Sequence, residues 1–304
     1  MSLVGMFMGK GATGFGYSST AADVVADLDL KGRNILITGC NSGIGEEALR
    51  VLTARGARVL ATARTVEKAA EACKRVGGET IPLACELSEP ASVRACVEAV
   101  RKLDLPLHAI IANAGIMALP TRETKFGYEL QFFTNHVGHF ILVTGLVDKL
   151  APDGRVVMLS SEGHRWPPAE GICFDDLGSE RGYSSWTAYG QSKLANLLFA
   201  RELAKRLAPG QTANSVHPGV INTNLGRHMA GTVQRVMGLL GPMFQKSIPQ
   251  GAATEVLVAV HPAAAKITGQ YWADCNVATA SKFGQDDALA AALWKRTEEI
   301  VAGL

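Results

Sequence analysis

The run Asn34-Ile35-Leu36-Ile37-Thr38 reads as a short buried strand, and it leads at once into Gly39-Cys40-Asn41-Ser42-Gly43-Ile44-Gly45 and a helical stretch over 46–55. Few sequence features restrict a chain more. A glycine-rich turn between a buried strand and a helix lets the backbone turn tightly and approach a pyrophosphate, which rests on the free N–H groups of the helix N-terminus. The spacing G-x-x-x-G-x-G differs from the commoner G-x-G-x-x-G but keeps that physics. A turn serving only helix–strand packing would look similar, yet here strand, turn and helix stand in the order that nucleotide binding needs.

The same alternation recurs. Strand-like runs at 57–62, 80–84, 107–112, 154–159, 213–217 and 269–273 are separated by helical patterns, the long ones at 126–150, 251–260 and 286–301. The expected fold is therefore α/β: one Rossmann-like doubly wound domain over 31–304, with a central parallel sheet of about seven strands flanked by helices. Residues 1–30 form an N-terminal arm, its first part, 1–22, rich in Gly, Ser and Met and expected to be loosely held. Ser88 is expected to cap a helix starting near Glu89. With 30 basic against 28 acidic side chains, a nucleic-acid partner is not expected. No apolar run reaches the roughly 18–20 residues of a membrane span, and no signal peptide is recognisable. The six cysteines show no C-x-x-C spacing, so reduced thiols and a cytoplasmic location are expected.

Several residues carry candidate chemistry. The second strand ends in Ala63-Arg64, where an acid would hold a ribose 2′-OH and an Arg accommodates a 2′-phosphate; the acid is absent and the base present. Asn113-Ala114-Gly115 is a small-residue turn at the end of strand four, and Ser160-Ser161 ends strand five. Tyr189 and Lys193 share one helix face. A free tyrosine titrates near pH ~10; an ammonium roughly 4 Å away at an effective dielectric of 20 favours phenolate by about 4 kcal/mol. Taken alone, that pair is common. Asn135 lies within a helix, as do His136 and His139, which read as packing or surface residues because no further ligands stand at metal-like spacing; no metal is expected. After strand six, Pro218-Gly219 breaks the chain before Val220 and Thr223, and the Gly- and Met-rich segment 224–250 reads as a substrate lid or, equally, as a surface helix pair.

Taken together, Thr38-Gly39-x3-Gly43-x-Gly45, Asn113-Ala114-Gly115, Asn135, Ser161, Tyr189-x3-Lys193 and Pro218-Gly219-x3-Thr223 resemble the short-chain dehydrogenase/reductase family. The likeness is greatest to the group containing the retinol dehydrogenases, the WW-domain oxidoreductase and related plant reductases. The resemblance implies that Tyr189 carries the proton, Lys193 lowers its pKa and holds the nicotinamide ribose, Ser161 hydrogen-bonds the reacting oxygen, and Asn135 holds a water linking Lys193 to solvent. It implies cofactor contacts at Gly39, Asn41, Ser42, Gly43, Ile44, Gly45, Arg64, Glu86, Leu87, Asn113, Ala114, Gly115, Tyr189, Lys193, Pro218, Gly219, Val220 and Thr223. Glu86 departs from the family's usual Asp, and a count from Gly154 selects Ser161 over Ser160. The expected function is an NADP(H)-dependent oxidoreductase interconverting a carbonyl and an alcohol, acting as a reductase of a small apolar ketone or aldehyde. An NAD-linked alcohol dehydrogenase and a non-catalytic NADP(H)-sensing module are the alternatives; homo-oligomerisation is left open.

Overall fold

The computed structural model describes residues 9–221 and 245–304. Its centre is one sheet of eight strands: β1 (Asn34–Thr38), β2 (Arg58–Ala63), β3 (Thr80–Ala84), β4 (Leu107–Ala112), β5 (Leu150–Leu159), β6 (Thr212–His217), β7 (Tyr271–Ala273) and β8 (Asn276–Ala278). They lie in the order β8-β7-β6-β5-β4-β1-β2-β3. All neighbours run parallel except β7 and β8, which form an antiparallel hairpin. The seven expected strands are present. The eighth is a three-residue return through Asp274 and Cys275, both at positive φ (49° and 63°).

Helices α1 (Ala21–Val25), α2 (Gly43–Ala54), α3 (Val66–Val76) and α7 (Ile248–Val260) cover one face; α4 (Pro90–Lys102), α5 (130–144), α6 (Ser185–Leu203) and α8 (Asp287–Ala302) cover the other. The strands serve both cores by simple alternation. On β1, Leu36 enters one core while Ile35 and Ile37 enter the other, and on β4 Ile110 is opposed in the same way to Ala109 and Ile111. Aromatic packing ties α8 to the long helices: the Trp294 ring stacks on Phe199 at 5.4 Å and meets Phe140 edge-on at 5.0 Å.

Local details differ from the sequence expectation. α4 is capped at Glu89 with Pro90 in its first turn, because proline's fixed φ suits that position; Ser88 instead donates to the Glu86 carboxylate at 3.0 Å. The expected helix over 126–150 shortens to 130–144, preceded by a small hairpin (Thr124–Lys125 with Tyr128–Glu129) and interrupted by a π turn at Phe133–Val137. The described part of the arm is not loose. Thr13 Oγ1 donates to the Cys275 carbonyl at 2.9 Å, Asn276 Nδ2 donates to the Phe15 carbonyl at 3.0 Å, and α1 carries a complete capping box from Thr20 and Asp23.

Candidate active site

The strand order reverses between β1 and β4, so the turns leaving these strands diverge and leave a crevice at their carboxyl ends. The glycine turn borders it. Gly39 and Gly43 adopt φ of 76° and 64°, and a Cβ on Gly45 would stand 2.5 Å from Asn113 Nδ2. Ser42 occupies the N-cap of α2 without making a side-chain capping bond, so N–H groups of the first turn remain for an anion. Asn41 and Ser42 are exposed, Ile44 half-buried. Arg75, which no local pattern marks in the sequence, holds the turn by donating to the Asn41 carbonyl at 3.2 Å and the Glu46 carboxylate at 2.8 Å.

Opposite, Asn113 Nδ2 donates to the Thr38 carbonyl at 2.7 Å, whereas its Oδ1 is buried with no partner among the described residues. Ala114 N donates to Thr38 Oγ1 at 2.9 Å. Gly115 lets its turn lie against Asn135 Oδ1 and Lys193 Nζ, which a Cβ there would approach to 2.9 and 3.4 Å. A glycine cradle, an uncapped helix start and an orphaned amide oxygen together fit a dinucleotide. Arg64, just past the end of β2, is exposed and has no carboxylate partner among the described residues, while Ala63 is buried. Glu86 turns its carboxylate onto its own loop, accepting from Ser88 N at 3.2 Å, and Leu87 is buried with its carbonyl against Gly138.

The polar residues of the long helices meet below this cradle. Tyr189 and Lys193 lie on α6, both buried. The Ser161 hydroxyl, at the end of β5, accepts from Gly163 N at 3.1 Å and is close enough to the Tyr189 phenol to act on its pKa. Ser160 is a different kind of serine: fully buried, it donates to the Lys193 carbonyl at 2.8 Å. Lys193 Nζ donates to the Leu159 carbonyl at 3.0 Å. The Asn135 amide bonds both backbone groups of Ile116 (2.8 and 2.9 Å) and donates to Ser192 Oγ at 2.9 Å. His139 and His136 are buried and bonded, the latter to Thr297 Oγ1 at 2.9 Å.

Electrostatics here depart from the simple Tyr–Lys argument. Burial raises the Tyr189 phenol to about 12, against the lowering effect of Ser161, and it draws the Lys193 ammonium down to about 8. The ammonium lies 5.7 Å from the Tyr189 ring centroid, so in the protein alone desolvation outweighs the Coulomb attraction. The phenol therefore carries its proton at neutral pH. On the far side of the crevice, Gly219 has φ 94° and the Val220 carbonyl accepts from Lys246 N at 2.8 Å; Pro218 is half-buried and Val220 exposed. Thr223 and most of the expected lid, 222–244, lie outside the described residues. Thr38 and Ser192 were not singled out by sequence, although each stands inside a motif that was.

Fold and crevice together define a nicotinamide-dinucleotide type of oxidoreductase. A model of the short chain dehydrogenase family matches residues 33–174. The chain is 43% identical, over 100% of both sequences, to "Short-chain dehydrogenase TIC 32 A, chloroplastic" of Brassica napus. It is 35% identical to human retinol dehydrogenase 14 across 90% of this chain and 87% of that one, and 35% identical to human WW domain-containing oxidoreductase across 93% and 72%. Two solved structures are similar. An uncharacterised protein of Mycobacterium paratuberculosis has a TM-score of 0.75 at 31% identity, covering 91% of this chain and 97% of that one. A blue fluorescent protein from a metagenomic library, in complex with NADPH, has a TM-score of 0.65 at 25% identity, covering 81% and 97%. The chain belongs to the short-chain dehydrogenase family of oxidoreductases. The cytoplasmic location expected from the unpaired cysteines is overturned: the Brassica relatives matched along the whole chain are chloroplastic, a compartment that six free thiols do not exclude. Among the described residues no helix is long and apolar enough to cross a membrane.

Proposed function

We propose that this protein reduces a small apolar ketone or aldehyde to the alcohol with NADPH. The observation carrying the reading is the buried Tyr189–Lys193 pair one turn apart on α6, with Asn135 and the Gly115 turn against the lysine and the Ser161 hydroxyl close enough to the phenol to lower its pKa. The protonated phenol is the group that can give a proton to a carbonyl oxygen as the alcohol forms. NADPH supplies the hydride. Tyr189 donates its proton to the oxygen as charge develops there, and the Ser161 hydroxyl hydrogen-bonds the same atom. Lys193, tethered to the Leu159 carbonyl at 3.0 Å, would bond the ribose and replenish the proton. Asn135 keeps the Ile116 backbone and Ser192 in place, and its carbonyl has a second lone pair for a water.

Arg64, exposed and without a carboxylate partner among the described residues, beside buried Ala63, supports a 2′-phosphate, hence NADPH over NADH. The test is consumption of NADPH and of NADH with a panel of aliphatic and aromatic aldehydes and ketones. Reduction of several members with NADPH is expected. Activity only as alcohol oxidation with NAD, or cofactor binding without turnover on any carbonyl, would overturn the reading.

A further inference from the structure

Two short files of hydrogen bonds, joined only through the covalent frame of Asn135, connect the two halves of the site. Ala114 N donates to Thr38 Oγ1 at 2.9 Å; Thr38 Oγ1 meets His139 Nε2 at 2.9 Å; His139 Nδ1 meets the Asn135 carbonyl at 2.8 Å. Asn135 Nδ2 then donates to Ser192 Oγ at 2.9 Å, and Ser192 Oγ donates to the Tyr189 carbonyl at 2.8 Å. The proton positions follow from chemistry. A carbonyl only accepts, so Nδ1 carries the hydrogen; burial keeps the imidazole neutral, so Nε2 accepts and the Thr38 hydroxyl donates. The bonds of the first file therefore run from the cofactor turn to the Asn135 backbone carbonyl, and those of the second run from the Asn135 side-chain amide to the Tyr189 helix. Thr38, Asn135, His139 and Ser192 are all essentially inaccessible to solvent.

We propose that His139 is a positioning residue, the joint through which the turn that takes the cofactor sets the placement of Tyr189. It reaches both sides because it stands one turn after Asn135 on α5, where the π turn Phe133–Val137 gives way to regular helix. A hydrophobic side chain of similar size would fill the space and leave the Thr38 hydroxyl and one acceptor site of the Asn135 carbonyl without their partner. Asn135 is held by the first file at its backbone carbonyl and starts the second from its side-chain amide, so a break in either file loosens the same residue. The inference rests on Tyr189 being the proton donor of the proposed reduction.

The experiment combines Thr38→Val, which removes one hydroxyl at constant shape, with Ser192→Ala at the other end and His139→Leu in the middle. The readouts are kcat, KM for the carbonyl, and thermal midpoint. Each single change should lower kcat roughly tenfold with KM for the carbonyl little altered, as for loss of one bond in a coupled unit. Thr38→Ser should restore it. Thr38→Val with Ser192→Ala should be no slower than the slower single variant, because both loosen the hold on Asn135. Parental kcat in the Thr38 and Ser192 variants, or a double variant whose loss is the product of the singles, would overturn the proposal. If His139→Leu does not fold, the Thr38 and Ser192 pair decides. Failure of the underlying reading looks different: there the parent reduces no carbonyl, or Tyr189→Phe is as fast as the parent.

Discussion

Two buried charges lie on opposite faces of the sheet, Lys193 on α6 and Glu255 on α7, and burial treats them alike while the surroundings do not. Lys193 has the Leu159 carbonyl to donate to and stands beside Tyr189 and Asn135. Glu255 is fully buried among aliphatic residues of the second core, and neither carboxylate oxygen has a partner among the described residues. Desolvation lowers the first group to about 8 and raises the second to about 8. At neutral pH the lysine is still largely charged and the glutamate largely neutral. The difference teaches that an ion is kept in a core where neighbours supply bonds and a reaction uses the charge; where neither holds, the group gives up its charge instead.

The sharpest way to break this contrast is on the lysine's side of the sheet. Tyr189→Phe removes one hydroxyl and almost no volume, and it should slow turnover by about 10²–10⁴-fold while NADPH titration is unchanged. A variant within tenfold of the parent would end the case that this buried region performs the chemistry.

Stability against pH sharpens the comparison next. For Glu255 the folded pKa is above the unfolded 4.5, so the folded chain binds the extra proton between 4.5 and about 8, and stability falls as pH rises through that window. Glu255→Gln should flatten the fall and leave the protein more stable at pH 8 by on the order of 3 kcal/mol, with little change at pH 4.5. For Lys193 the folded pKa is below the unfolded 10.5, so stability rises between about 8 and 10.5. Lys193→Met should be more stable than the parent at pH 7 by about 3 kcal/mol, lose that advantage by pH 10.5, and lose turnover throughout. Denaturant melts across this range measure both slopes. Parallel curves for parent and variants would show that neither group's titration is perturbed by folding.

The smallest effect concerns a charge left in water. Arg64→Ala should weaken NADPH by about ten- to a hundredfold and leave NADH nearly alone. Equal losses for both cofactors would place Arg64 away from the 2′ position.

Much of this molecule is legible in the chain because its strongest signals are local. Buried β1, its glycine turn and α2 follow one another within 34–54, and Tyr189 and Lys193 sit one turn apart on one helix. What escaped depended on distant neighbours. β8 is three residues long and exists only because Asp274 and Cys275 adopt positive φ, which neither residue advertises. The π turn in α5 carries no local sequence mark; it ends where Gly138 lies against the Leu87 carbonyl. His139 reads from sequence only as a packing or surface histidine, since its partner Thr38 is 101 residues earlier in the chain. The proximity of Tyr189 to Lys193 was readable, but the solvent exclusion that decides their pKa values was not.

The arm's grip on the β7–β8 turn makes the two ends of the polypeptide mechanically one piece. Thr13 holds the Cys275 carbonyl, Thr254 Oγ1 accepts from Cys275 N at 3.1 Å, and between them they pin a left-handed residue that would otherwise relax. Trimming the arm to residue 17 removes half of that pin. The damage should surface some 260 residues downstream, as faster proteolytic nicking near Asp274, while the nucleotide cradle stays whole.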